Sequence, residues 1–290
     1  MNNILKVKNL TKYYGKTLGI QNINFELYEG EVFGFIGPNG AGKSTTIRSI
    51  LNLINKSSGK VFFNGKKLNK DDLKQKKEIG YLPSEINLYE DYTVKEMLDF
   101  HEKFFNKNLK RRRKDLVERL KLDESKKIEE LSLGNLKKIG IILAFMHEPK
   151  LIILDEPTSG LDPIIQQVFF DLVLEEKNKG TTIFYSTHIL NEISKVCDRV
   201  GIIKGGQLLK VESINEILDK NLSYVTITSE DCERIVNELK LESFNLENNN
   251  LSFKNTFNSN LLIKTLSKFD IEKIYIEQAS IEDVFLHYYE

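Results

Sequence analysis

An α/β fold is predicted for this chain: a mixed, mostly parallel core sheet with helices on both faces, an antiparallel β region, a helical insertion, and a small α+β domain at the end. Short apolar runs alternating with helical segments are the first sign. Residues 151–154 and 182–185 read as buried strands, and a helix follows Pro163, the order of a sheet built by crossover connections. The second sign lies near the start, where the buried run 31–36 leads through a glycine-rich stretch into a helical segment over 45–54. The third is a change of character over 84–148, where apolar residues recur at helical spacing.

The elements follow in order. Residues 4–10 and 22–28 alternate apolar and polar positions, with Ile23, Phe25 and Leu27 on one face, and are expected to pair as antiparallel strands. Glu29-Gly30 turns the chain into the next strand. Residues 61–63 form a strand followed by the turn signal Asn64-Gly65, and 79–82 form a short strand stopped by Pro83. Thr93 caps a helix over 94–100. A strongly charged helix is expected over 111–122, and a third helix starts near Gly134 and carries Ile139, Ile142, Leu143 and Met146. Residues 199–203 and 207–211 read as a hairpin through Gly205-Gly206. These features place one domain at 1–220, with its helical part at about 84–148, and an accessory domain at 221–290. In the accessory domain strands are expected at 224–228, 251–253 and 271–276, and helices at 232–241, 260–269 and 280–287, the last with a capping-box start. That order hints at a split βαβ unit of about 60 residues, with 248–250 as a hairpin tip.

Bulk composition narrows the function classes. Lys plus Arg and Asp plus Glu are 42 each among 290 residues, so the formal net charge is zero. That argues against nucleic acid as the main partner. Cys197 and Cys232 are far apart without metal-ligand spacing and are expected to be free thiols in a reducing compartment. No cleavable signal peptide is visible at the start. The longest apolar run, 139–146, is far short of the about 20 residues a bilayer span needs. If the protein works at a membrane, another chain crosses it.

Chemistry concentrates at 37–45, which read Gly37, Pro38, Asn39, Gly40, Ala41, Gly42, Lys43, Ser44 and Thr45. This is G-x-x-x-x-G-K-[ST] between a strand and a helix, the context of a phosphate-binding loop. Glycines let successive N–H groups turn toward one anion, and the helix N-terminus adds a positive dipole. Lys43 can reach the β- and γ-phosphates of a nucleoside triphosphate, and Ser44 can offer its hydroxyl to Mg²⁺. At the end of the apolar strand 151–154, Asp155 fits a carboxylate that holds Mg²⁺ through water, and Glu156 can polarise the attacking water.

Beyond these two motifs, four further stretches resemble the nucleotide-binding subunit of ATP-binding cassette (ABC) transporters over residues 4–218. Residues 131–135, Leu-Ser-Leu-Gly-Asn, stand where that family has its Leu-Ser-Gly-Gly-Gln signature. Residues 159–162, Ser-Gly-Leu-Asp, resemble its D-loop, and 186–188, Ser-Thr-His, its switch histidine. Tyr14 matches the aromatic that stacks on adenine, with Tyr13 as the rival. The resemblance implies a P-loop NTPase cassette that hydrolyses ATP with Mg²⁺. It also implies a head-to-tail homodimer in which ATP lies between Lys43 of one chain and Ser132 with Gly134 of the other. Glu156, His188 and Lys43 would then be catalytic, Asp162 would communicate across the dimer, and a separate membrane permease would be the partner at the cytoplasmic face of the membrane. Local alternatives stand beside these roles: Ser132 as a plain helix N-cap, and Asp162 as the cap of a helix that opens with Pro163. His101, His147 and His287 are read as structural.

Two departures from the family pattern stand out. Ser84, followed by Glu85, replaces the Q-loop glutamine; it would be a shorter oxygen ligand for the metal, so that either a water fills the gap, or Glu85 substitutes, or hydrolysis is coupled differently. In the signature, Leu133 replaces a glycine and Asn135 the glutamine. Both changes resemble exporter subunits of the bacitracin-resistance and lantibiotic-immunity type. Ile86, Leu88, Tyr89 and Tyr92 are candidates for an exposed apolar surface that receives the permease, or for an ordinary packing face. The basic run 110–114 is read as a solvated helix face or a lipid headgroup contact. Against the transporter reading stands a soluble ATPase of the same family acting on ribosomes or nucleic acid, or an ATP-binding regulatory module that hydrolyses poorly.

Overall fold

The computed structural model describes residues 2–105, 107–218, 223–255 and 257–278. The first strands, β1 (Asn3–Tyr14) and β2 (Thr17–Tyr28), pair antiparallel from Asn3↔Tyr28 to Tyr14↔Thr17. Both are longer than the alternation alone suggested, because the ladder continues through bulges past Leu10 to a two-residue turn. β3 (Val32–Ile36) is wholly buried and feeds α1 (Lys43–Ile50). This helix ends four residues short of the expected 54, and Asn52 then turns with φ of 55°. β4 (Ser58–Phe63) and β5 (Lys66–Lys67) complete a four-stranded antiparallel sheet in the order β2-β1-β4-β5.

A short α2 (Leu73–Lys76) precedes β6 (Ile79–Leu82). Three helices then follow: α3 (Val94–Glu102), α4 (Lys110–Arg119) and α5 (Leu133–Phe145). Thr93 and Glu96 close a capping box on α3. The core resumes with β7 (Leu151–Asp155), α6 (Pro163–Asn178), β8 (Thr182–Thr187), α7 (Leu190–Val196), β9 (Arg199–Lys204), β10 (Gln207–Ser213) and α8 (Ile214–Leu218). Six strands order as β10-β9-β3-β8-β7-β6, all pairs parallel except the β9–β10 hairpin. Between this sheet and the antiparallel one, Phe25 stacks on Phe33 at 5.4 Å and meets Phe35 and Phe184 at 5.7 Å. Aromatic pairs of this kind add about 0.5–1.5 kcal/mol each beyond area burial.

Two compact units emerge, Met1–Ile214 and Asn215–Glu290. The border read from the sequence, 220–221, falls within 219–222, outside the described residues. The second unit runs β11 (Ser223–Thr228), α9 (Cys232–Leu239), β12 (Phe244–Glu247), β13 (Asn250–Asn255), α10 (Ser259–Leu266) and β14 (Lys273–Gln278). Its antiparallel sheet orders as β12-β13-β11-β14, the split βαβ arrangement. β12 had no expectation behind it, since Phe244 and Asn245 are exposed and carry no alternation. The helix expected over 280–287, with His287, lies outside the described residues.

The basic run divides: Lys110, Arg111 and Lys114 are exposed, as a solvated helix face requires, whereas Arg112 and Arg113 depart from both readings. α4 ends at Arg119, with Lys121 turning left-handed at φ 51°. Arg112 binds Asp115 and the buried Glu176, and Arg113 reaches Asp99, Glu102 and Glu124. These two guanidiniums are structural ties of the helical part rather than a solvated or lipid-facing surface. Replacing Arg113 with Met leaves three carboxylates facing one another. Equilibrium denaturation should show a loss of about 2–3 kcal/mol, below the roughly 3–5 kcal/mol for breaking a fully buried pair because Asp99 and Glu124 remain part-exposed.

Candidate functional site

Glycine geometry builds the phosphate loop. A Cβ at Gly37 would lie 2.4 Å from the Ile203 carbonyl, and Gly42 holds φ at 106° while a Cβ there would meet Ile20 at 2.7 Å. Only glycine fits either position. Gly40 also turns left-handed, at φ 79°. The loop is braced by Gly206 N–H donating to the Ala41 carbonyl at 3.0 Å. Among the described residues, the N–H groups of Asn39, Gly40, Gly42, Lys43 and Ser44 have no intramolecular acceptor, which leaves them for an anion. Pro38 and Asn39 are exposed at the rim, Ala41 is buried, and Thr45 sits in the first turn of α1.

Lys43 is buried at 5 % exposure, and its Nζ donates to the carbonyls of Gly37 at 2.8 Å and Pro38 at 3.2 Å. Glu156 Oε1 lies 3.4 Å from that ammonium and 3.2 Å from His188 Nδ1. Three residues spread over 145 positions of the chain therefore meet at one carboxylate oxygen. Parallel pairing brings them there: β3 beside β8 and β8 beside β7 align the strand ends from which the loop, Glu156 and His188 emerge. Glu156 itself sits at φ 48°, a left-handed conformation that costs a non-glycine residue about 1–2 kcal/mol. Its N–H is held by the Ser186 carbonyl at 2.9 Å.

Asp155 is fully buried, and among the described residues neither carboxylate oxygen has a hydrogen-bond partner. Burial pushes its pKa up, with the charge of Glu156 adding to it; the hydroxyls of Ser44 and Ser186, which lie nearby but outside hydrogen-bond geometry, and the charge of Arg48 pull it back in part. Among the described residues no three His, Cys, Asp or Glu side chains cluster as a metal site. A magnesium–nucleotide site needs less: one carboxylate and one hydroxyl beside phosphate oxygens and water. The orphaned oxygens of Asp155 beside Ser44 fit that donor set. Ser84, immediately beyond β6, is half-buried, and among the described residues its hydroxyl makes no hydrogen bond to this cluster.

Tyr14 rather than Tyr13 adjoins the loop. Its Oη lies 3.5 Å from Thr45 Oγ1, and Lys12 Nζ lies 4.9 Å from its ring centroid. Ser132 is exposed and caps α5, accepting from Asn135 N–H at 3.4 Å. Gly134 packs on the chain's own 159–162 loop: a Cβ would stand 2.7 Å from the Gly160 carbonyl. Asp162 caps α6 through the N–H groups of Ile164 and Ile165 at 3.1 and 3.0 Å. Among the described residues no hydrogen bond links Ser132, Gly134 or Asp162 to the Lys43–Glu156–His188 cluster.

Two buried charges escaped the sequence reading. Glu192, 4 % exposed, accepts from the hydroxyls of Thr158, Tyr185 and Thr187. It ties the segment after Glu156 to the strand end before His188. Lys137, 3 % exposed on α5, donates to the carbonyls of Ser84 at 3.0 Å and Pro83 at 3.3 Å. No motif flags either residue: Lys137 bonds backbone carbonyls 54 and 53 residues away, and Glu192 joins Thr158, 34 residues away, to the strand end at Tyr185 and Thr187. Of the four apolar residues considered for a partner surface, Tyr89 and Tyr92 are exposed. Ile86 is half-buried, its Cδ1 2.4 Å from where a Gly140 Cβ would stand, and Leu88 is half-buried too. The exposed Phe104 joins the tyrosines through Phe100.

A phosphate loop at a strand–helix junction, a buried acidic strand end and a histidine just past the end of the neighbouring strand define an ATP-binding cassette ATPase. The ABC transporter family pattern matches residues 20–159, and the chain belongs to that family. It is 37 % identical to the linearmycin resistance ATP-binding protein LnrL of Bacillus subtilis, over 75 % of this chain and 71 % of that one. It is 36 % identical to the bacitracin transport ATP-binding protein BcrA of Bacillus licheniformis, over 81 % and 78 %. Its fold superposes on the ATP-binding cassette MJ0796, in a dimeric post-hydrolysis state bound to ADP and Pi, with a TM-score of 0.66. That match has 25 % identity and covers 73 % of this chain and 99 % of the other.

Proposed function

We propose that this chain is the ATP-hydrolysing subunit of an exporter, driving a separate membrane permease through ATP-dependent closure of two cassettes. The observation that carries it is the meeting of Lys43, Glu156 and His188 at one oxygen beside the unpaired carboxylate of Asp155. Lys43 bonds the loop carbonyls of Gly37 and Pro38 and lies beside Glu156. A triphosphate replaces those partners: loop amides and Lys43 Nζ take the β- and γ-phosphate oxygens, and Tyr14 stacks on the base. Mg²⁺, held by Ser44 and Asp155 with Ser84 as a further oxygen, would neutralise phosphate charge. Glu156, released from Lys43, orients the attacking water and takes its proton. His188 braces the γ-phosphate from the opposite strand. Phosphoryl transfer depends mainly on such positioning and charge stabilisation.

Among the described residues Ser132 and Gly134 make no bond to their own chain's phosphate loop, and the α5 N-terminus would face the nucleotide of a second copy. The dimeric MJ0796 cassette supports that pairing. Asp162, already spent on its helix cap, holds the adjoining loop in place at the dimer contact. LnrL and BcrA support the export reading. Among the described residues no helix is long and apolar enough to cross a membrane, so the permease would be a separate chain. The exposed aromatics Tyr89, Tyr92 and Phe104 are its docking surface, and the subunit lies peripherally on the cytoplasmic face.

The test is to tag the Glu156→Gln form in its native cell, solubilise membranes gently with Mg-ATP, and identify what co-purifies. A polytopic membrane protein in near-equal amount is the expected result. Ribosomes or nucleic acid, with the protein absent from membranes, overturn the export reading.

A further inference from the structure

Lys137 has no carboxylate within 4.0 Å among the described residues, although it is 3 % exposed. A buried ammonium is costly unless it is hydrogen-bonded or paired. Its partners are two consecutive backbone carbonyls, Pro83 and Ser84, immediately after β6. Parallel register aligns Leu82 with Leu154, so these carbonyls leave the sheet beside Asp155 and Glu156. Burial pushes the pKa of the Lys137 ammonium down, and the negative charges of Asp155 and Glu156 offset this only in part. Ser84, Glu85, Lys137, Ser159 and Gly160 line one cleft of about 360 Å³. The same helix begins at Ser132 and packs Gly134 on Gly160.

We propose that Lys137 is a positioning residue for ATP hydrolysis: its ammonium pins the chain at Pro83–Ser84 to α5 and sets positive charge behind Asp155 and Glu156. The inference rests on the ATPase reading of the cluster and deepens it. Ser84 is too short to fix this segment from its own side chain, so the segment is held by its backbone from α5 instead. Because the helix that carries Ser132 and Gly134 also carries Lys137, movement of α5 is passed to the segment beside the acidic pair. Misplacement of a reacting group by about 1 Å costs on the order of 100-fold in rate, which is ample leverage for such a tie.

The experiment compares K137R, K137Q and K137M with the wild-type full chain in Mg-ATP turnover, in titration with a fluorescent ATP analogue, and in thermal unfolding. K137M and K137Q should lower kcat at least about 10-fold while nucleotide Kd moves less than about 3-fold, and K137R should keep kcat within about 3-fold of wild type. Wild-type kcat in K137M or K137Q overturns the proposal. So does a parallel fall of kcat, nucleotide affinity and Tm in all three variants, which is the mark of a merely structural lysine. If K137M does not fold, the K137Q and K137R pair decides, since glutamine keeps a donor and loses the charge. No turnover by the wild-type chain overturns the ATPase reading and this inference together. Normal wild-type turnover with an unaffected K137Q overturns this inference alone.

Discussion

Glu156→Gln should lower ATP turnover by about 100- to 10,000-fold, the contribution of a positioned general base, while ATP still binds. Glutamine keeps the shape of the side chain and its reach toward Lys43 and His188, now at 3.4 and 3.2 Å from Oε1. It loses the charge that polarises water and the basicity that takes the proton. With hydrolysis stopped, the closed nucleotide-bound pair has no exit, and light scattering should show a dimer that requires Mg-ATP. A variant that stays monomeric at saturating Mg-ATP contradicts the closure mechanism. One that keeps more than about a tenth of wild-type turnover contradicts the role given to Glu156. Lys43→Ala makes the contrast: it removes the buried ammonium of the phosphate loop and should abolish nucleotide binding and closure together.

Acid should destabilise the first unit through a histidine pair. His101 on α3 and His147 after α5 lie with ring centroids 5.6 Å apart, and Phe105 stacks on His147 at 4.4 Å. Burial depresses both imidazoles from 6.5 to about 4; for His147 the charge of His101 adds to it. Both rings are thus neutral in the folded protein over a range where the unfolded chain takes up protons. Stability is fully present above pH 6.5 and is lost as pH falls from there toward 4. Between pH 7.5 and 5.0 each histidine should cost about 2 kcal/mol. Urea denaturation of wild type and His147→Phe at the two pH values checks this. The variant keeps an aromatic against Phe105 and should show a visibly shallower loss. An acid loss equal to wild type's would refute the assignment.

Much of the site was legible because it is local in sequence. The loop 37–45 and the pair Asp155–Glu156 are contiguous, and their residue types follow from what a phosphate and a hard cation require. The helix caps Thr93, Ser132 and Asp162 were readable for the same reason, since a cap acts within three residues. Lys137, Glu192 and the ties of Arg112 and Arg113 were not. A buried charge among a helix's polar residues looks like a solvated one until its distant partner is known: Ser84 for Lys137, Thr158 for Glu192, Glu176 for Arg112 and Glu124 for Arg113, which lie 53, 34, 64 and 11 residues away. Ile86 fell short as an exposed candidate because Gly140, a residue with no side chain, opens the space that it fills.

By itself, then, the order of residues determined that this protein is an α/β cassette with a phosphate loop, an acidic strand end and a histidine after the next strand. Strand periodicity, glycine spacing and the chemistry of phosphate demand as much. Only the tertiary structure decided that Lys43, Glu156 and His188 share one oxygen, that Asp155 is left without a partner, and that α5 grips Ser84 through Lys137. Those facts depend on parallel strand register and on which helix packs over which strand end, and both are set by burial summed over the whole core.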